Sequence, residues 1–226
     1  MSFVVTLANI TQIMEALIPS TSGIGYRSAT LTGDPRCAAL FSGAQFAVTD
    51  PDAKFPESGF VLGTGQAITL IGQSGTENSH PFNTTGDEDF NPTSGSSHDA
   101  CSISFEFQCS PDFGGDVVVG YSFASDEYRE QVDAFTGFAD RFGLLLNGDN
   151  VALVPGTNED VSVYSVNHIN NTQYFHYNNP RPGQRTYPGF EPDGFTKCLN
   201  ATGPTNPGWN TMKIGIVGKS YWYSME

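Results

Sequence analysis

Basic residues are scarce in this chain. Ten Lys and Arg stand against 24 Asp and Glu, for a net charge of −14 over 226 residues. A surface so negative repels phosphate backbones and anionic lipid headgroups, which argues against nucleic acid and membrane surfaces as partners. No apolar run is long enough to cross a bilayer, so no transmembrane segment is expected. Residues 1–17 also lack the basic start and continuous apolar stretch of a secretory leader, so secretion implies a leader outside this sequence. The signatures of common catalysts are missing too: no His-Glu-x-x-His, no Gly-x-Ser-x-Gly and no phosphate loop. The four histidines, His80, His98, His168 and His176, have no zinc-like spacing. An enzyme is not expected.

What the chain does have is turn-formers and aromatics. It carries 25 Gly and 14 Pro, with 12 % aromatic and 15 % charged residues. Disorder needs the opposite balance, and turn residues spread along the whole length imply many short strands. The length suits one large all-β domain over residues 1–226. A single helix is expected over about 6–18, where Leu7, Ile10, Ile13, Met14 and Leu17 recur at helical spacing, Thr6 can cap and Pro19 stops it.

Period-two alternation follows. Cys101, Ile103, Phe105, Phe107 and Cys109 share one strand face, opposite Ser102, Ser104, Glu106 and Gln108. Val117, Val119, Tyr121 and Phe123 repeat the pattern and are expected to pair antiparallel with it. Phe142, Leu144 and Leu146 mark another strand, and the turn at 147–150 leads into 151–154 as a hairpin. Further strands are expected near 26–32, 59–64, 161–166, 173–177 and 212–217, and the polar stretch 74–98 is the longest candidate loop. The architecture that fits is an all-β antiparallel β-sandwich, jelly-roll-like, with one short N-terminal helix.

Four cysteines, Cys37, Cys101, Cys109 and Cys198, permit two disulfides in an oxidising compartment. Cys101 and Cys109 lie about 26 Å apart on one straight strand, too far to bond each other. Each therefore pairs with Cys37 or Cys198, and the choice stays open. Four N-glycosylation sequons, at Asn9, Asn83, Asn170 and Asn200, point to the same compartment.

Twelve of the 24 acids fall within residues 87–140, where Arg129 is the only Lys or Arg. A buried strand runs directly into Asp126, Glu127 and Glu130, and Asp140 precedes the next strand. Gathered carboxylates repel, and burying them is costly without a compensating cation. Calcium suits such oxygen-rich loops, so Ca2+ is the expected cofactor, with Asp126, Glu127, Glu130, Asp140, Asp99, Asp87 and Asp89 as candidate ligands. The Asp87–Asp89 cluster lacks the regular spacing of a helix–loop–helix calcium loop, and Asp193-Gly194 is either a plain turn or one more ligand. A glycosidase role for Asp126 and Glu127 fails on geometry, because strand neighbours point to opposite faces.

Several segments resemble the choice-of-anchor L domain, a module of bacterial surface proteins. They are Ser58-Gly-Phe-Val-Leu-Gly-Thr-Gly, Gly86-Asp-Glu-Asp, Phe105-Glu-Phe, Tyr121-Ser-Phe-Ala-Ser-Asp-Glu-Tyr, Phe138-Ala-Asp-Arg-Phe-Gly with Leu146-Asn-Gly, Asn150-Val-Ala-Leu-Val-Pro-Gly-Thr, Asp193-Gly-Phe-Thr and Met212-Lys-Ile-Gly-Ile. The resemblance covers the chain from about residue 12 and implies a secreted or cell-surface β-rich module without known catalytic residues. The family's pattern would continue beyond residue 226 into an acidic turn and an apolar strand, and a missing closing strand would leave an open sheet edge. The expected function is adhesion or recognition at the cell surface, towards glycans or proteins, with calcium-ordered loops. Trp209, Trp222, Tyr174, Tyr177 and Tyr187 are the candidate sugar-stacking faces. The rival is a structural subunit of an extracellular filament or coat, built from copies of the chain joined at sheet edges.

Overall fold

The computed structural model describes residues 3–44, 55–72, 81–90, 97–109, 114–134, 139–178, 187 and 189–219. Among these residues thirteen strands form four antiparallel sheets, and the fold is an all-β sandwich with a short helix near its start. Strand β1 (Val4–Leu7) precedes helix α1 (Ile10–Leu17). Next come β2 (Gly25–Thr32), β3 (Ala38–Ser42) and β4 (Ser58–Leu62). The long β5 (Ser97–Gln108) is followed by β6 (Gly115–Tyr121), β7 (Ala124–Ser125) and a five-residue helix α2 (Glu130–Ala134). The hairpin β8 (Arg141–Leu146) and β9 (Asp149–Asn150) leads to β10 (Phe175–Tyr177). Strands β11 (Gly194–Thr196), β12 (Leu199–Thr205) and β13 (Asn210–Lys219) complete the described chain.

The largest layer has the order β2-β5-β13-β8-β9; the other sheets are β12-β6, β1-β3-β4 and β10-β11-β7. The apolar face of β5, with Ile103, Phe105 and Phe107, packs into one cluster with Leu144, Leu146, Met212 and Ile214 of its own sheet. Tyr121, Leu199 and Ala201 of the facing β6–β12 pair belong to the same cluster. Residues 101–108 and 117–121 do not pair as expected: β5 bonds to β2 and β13, while β6 bonds to β12. Each strand has one apolar face, and setting the two faces against each other across the layers buries both. Edge-to-edge pairing would leave both facing the same way.

The helix is shorter than its spacing predicts. Asn9, not Thr6, is the N-cap: its side chain accepts from the Gln12 N–H, and Gln12 reaches back to the Asn9 N–H at 3.0 Å. Thr6 and Leu7 instead pair with Leu40 and Ala39. Residues 161–166 form no strand, although Val161, Val163 and Val166 are fully buried. Here Ser165 Oγ donates to the Asp160 carbonyl, and Asn167 Nδ2 donates to the carbonyls of Val163 and Tyr164. Side chains therefore satisfy backbone groups that a ladder would otherwise take. The 147–150 turn is tighter than expected, with Asn147 and Gly148 both at positive φ and Leu146 opposite Asp149.

One disulfide joins Cys37 to Cys101, with Cα atoms 5.9 Å apart. Cys109 and Cys198 are free and exposed, so the expected second bridge is absent. Cys109 follows the end of β5 that lies against Asn210, whereas Cys198 precedes β12, which runs seven residues before the chain turns to Asn210. That strand holds them roughly 20 Å apart.

Candidate functional site

Between the two facing layers lies a cleft of about 1130 Å³. Half-buried apolar side chains line it, among them Phe60, Leu62, Val117, Val119 and Phe142, and its sides include residues 58–67 and 117–127. Carboxylates close one end: Asp126, Glu127, Asp140 and Glu191 all line it.

The chain places these acids by anchoring their neighbours. After β6, Phe123 is buried, and Ala124 and Ser125 pair with Phe195 and Gly194 of β11. A turn over 126–129 follows, in which Ser125 Oγ accepts from the Glu127 N–H at 3.0 Å. Tyr128 is fully buried and packs on Phe175 with ring centroids 4.7 Å apart. Arg129 takes a positive φ of 75°. With Tyr128 locked in the core, Asp126 and Glu127 are both left on the cleft. They sit in a turn and not on a straight strand, so they share a side despite being sequence neighbours.

Glu127 Oε2 accepts from the Asp140 N–H at 2.8 Å, and Asp140 Oδ2 accepts from Thr64 Oγ1 at 2.9 Å. The Asp126 carboxyl hydrogen-bonds to that of buried Glu191 and also accepts from the Asp193 N–H at 3.3 Å. Burial pushes the Glu127 pKa up from 4.5 to about 8, and the charges of Asp140 and Asp126 add to the rise. Asp126 keeps contact with solvent at the mouth of the cleft, yet the protein atoms around its carboxyl raise its pKa too, followed by the charge of Asp193. Two carboxyl groups within hydrogen-bonding reach must share a proton or a cation.

Of the other expected ligands, Asp99 also lines the cleft, while Asp87 and Asp89 stand elsewhere. Asp87 and Asp89 close on the Lys213 ammonium, with Asp87 at 2.7 Å, and Ser102 Oγ donates to Asp87. Burial works against the Lys213 charge, but the hydrogen bonds to Asp87 and Asp89 outweigh it and raise its pKa. This pairing seats Phe90 over Gly143 and Gly215, against the outer face of the large sheet. Asp99 is buried at a positive φ of 51°, where it accepts from the Thr84 N–H at 2.8 Å and its Oδ2 lies 3.1 Å from His98 Nδ1. Glu130 begins α2, but its side chain is outside the described residues. Among the described residues, no three His, Cys, Asp or Glu side chains converge closely enough to hold a metal ion.

Sequence reasoning missed Glu191 and Thr64. Glu191 stands two residues before the Asp193-Gly194 turn, and that spacing was the available signal. The candidate aromatics do not form one platform. Tyr187 is buried against Phe195, Trp209 lies under the Arg27 guanidinium at 4.1 Å, and Tyr177 packs on Phe175. Tyr174 is half-buried, and Trp222 falls outside the described residues. Asn9, Asn83, Asn170 and Asn200 are all exposed.

Stacked antiparallel sheets here enclose a cleft with carboxylates along part of its lining. The profile of the choice-of-anchor L domain matches residues 7–220, nearly the whole chain, and the protein belongs to that family. The family is one of extracellular or cell-surface modules and not a known enzyme family. Neither curated proteins nor solved structures give a match. Among the described residues, no helix is long and apolar enough to cross a membrane.

Proposed function

We propose that the protein is a cell-surface adhesion and recognition module that takes its ligand into the inter-sheet cleft, with a positive charge at the acidic end. One observation carries this reading. Two carboxyl pairs, Asp126 with Glu191 and Glu127 with Asp140, line a largely apolar cleft; burial and the charge of Asp193 raise the pKa of Asp126, and burial with the charges of Asp140 and Asp126 raises that of Glu127. A cation there relieves both costs.

Calcium is the inorganic cation proposed for this end, held by a single carboxyl pair because no three acids converge among the described residues, with water completing its six to eight oxygen ligands. Millimolar calcium is expected to raise the melting temperature, with less effect in Glu127→Gln. A melting curve that does not move with calcium or chelator removes the ion but leaves the cleft. The cleft itself is tested by Val119→Trp, which projects a large ring into it from the inner face of β6. Beads coated with this variant should lose adhesion to glycan- or protein-coated surfaces that hold wild-type beads. A glycan array in calcium, with and without chelator, separates sugars from proteins as targets.

A second reading, assembly into a filament or coat, is supported by the edges of β4 and β6. Among the described residues, each of these strands is paired on one side only. Concentration-dependent polymers in electron micrographs would favour it, and a monomer at high concentration would remove it.

A further inference from the structure

We propose that two copies of the chain join edge to edge through β1, antiparallel about a twofold axis, so that their β1-β3-β4 sheets become one. This surface lies apart from the cleft, to which β1 contributes no residue.

The backbone defines the edge. β1 is terminal in its sheet among the described residues. The Ala8 N–H bonds to the Ala38 carbonyl at 3.1 Å, continuing the register that sets Thr6 opposite Leu40 and Val4 opposite Ser42. Bonded pairs alternate along an antiparallel ladder. Val4 and Thr6 therefore bond inward to β3, while Val5 and Leu7 turn their N–H and C=O groups outward. Those outward groups make no hydrogen bond to any described residue. A 3-10 turn (Ala67–Leu70) packs against β1, yet it leaves them unbonded, and Ile68 and Ile71 beside it are exposed.

The side chains select what covers this edge. Sheet edges are normally blunted by a charge, a proline, a bulge or short length. β2 has a bulge and Arg27, β6 has Asp116, β12 has Pro204, and β7, β9 and β10 have two or three residues each. β1 and β4 have no charge, proline or bulge, and β4 lines the cleft. In a chain of net charge −14, residues 3–14, 37–44 and 58–72 hold no Asp, Glu, Lys, Arg or His. Val4 and Leu7 are exposed. A partner drawn by the net charge is basic and settles on the acids, away from this sheet. The occupant that fits is extended and uncharged, and a second β1 is both. Val5 then bonds to Leu7 of the second copy, Leu7 bonds to its Val5, and the two Thr6 residues face each other across the axis. This register uses every outward group of Val5 and Leu7. The contact is small and so weak; it fills mainly where copies are crowded, as on a cell surface.

Sedimentation velocity on the whole chain, from about 5 μM to about 1 mM, tests the pairing. Wild type is expected to pass from monomer to dimer over that range. The shift should come at lower concentration in about 500 mM salt than in about 50 mM, because salt screens the repulsion between two copies of charge −14. Thr6 is exposed, so Thr6→Lys and Thr6→Glu should keep the fold, which melting curves check. Each variant alone should stay monomeric, since like charges then stand directly opposite. Mixed in equal amounts, the two should regain the dimer.

A wild-type chain that stays monomeric throughout, or an association that weakens with salt, would overturn the proposal. So would a Thr6→Lys chain that dimerises as wild type, or a mixture that stays monomeric. Polymers that persist in Thr6→Lys would assign assembly to β4 and β6 and likewise remove β1.

Discussion

Replacing Glu127 with Gln should change how stability depends on pH, and by an amount the structure sets. Burial, then the charges of Asp140 and Asp126, lift the Glu127 pKa from 4.5 to about 8. A carboxyl whose folded pKa is raised binds its proton more tightly in the native state. Its contribution is therefore fully present below the unfolded value and is lost as pH rises through about 8. At about 1.4 kcal/mol per pH unit, the interval between the two values corresponds to an upper figure of about 5 kcal/mol. Water in the open cleft and the sharing of the proton with neighbouring acids reduce it. Glutamine has no such titration, and its oxygen still accepts from the Asp140 N–H. In urea unfolding from pH 5 to pH 9, wild type should lose stability steadily while Glu127→Gln stays nearly flat. The two should be within about 1 kcal/mol at pH 5 and should separate progressively up to about pH 8, levelling off beyond it, with the variant more stable. Parallel curves across the range would refute the placement of Glu127 in a buried, uncompensated site.

Three other outcomes follow from the packing. A Cβ at Gly215 would stand 2.5 Å from Phe90 Cε2 and 2.7 Å from Ser102 Cβ, so Gly215→Ala should cost about 1–3 kcal/mol by chemical unfolding, and adding Phe90→Leu should restore part of it. Cys37 and Cys101 close a loop with a sequence separation of 64, so the double alanine variant should lose about 4 kcal/mol, with the difference from wild type vanishing in reductant. Alkylation of the native, unreduced chain should label Cys109 and Cys198 alone, with Cys198 the slower because burial raises its thiol pKa.

Alternation along residues 101–108 was enough to read β5 and its buried face, because period two is a local property. The partners of β5 were not readable. They are β2 and β13, both far away in sequence, and nothing within a strand names its neighbour. The valines at 161, 163 and 166 show the converse. Their spacing reports burial, yet serines and asparagines hold the backbone there in a non-ladder form. The acids divide in the same way. Asp126, Glu127 and Asp140 are near one another in sequence and do meet at the cleft, whereas Asp87 and Asp89 are matched by Lys213, 126 and 124 positions away. A local excess of charge is visible in a sequence; the counter-charge that answers it is not.

The place of β13 in the large sheet has a consequence for synthesis. It is the last described strand, yet it sits between β5 and β8 and pairs with both. While the chain emerges from a ribosome, β5 and β8 must wait with open flanks and uncovered apolar faces until residues 210–219 arrive. Folding should then proceed as one late closure, and nascent chains halted before residue 210 should be sticky and protease-sensitive where those reaching past 219 are not.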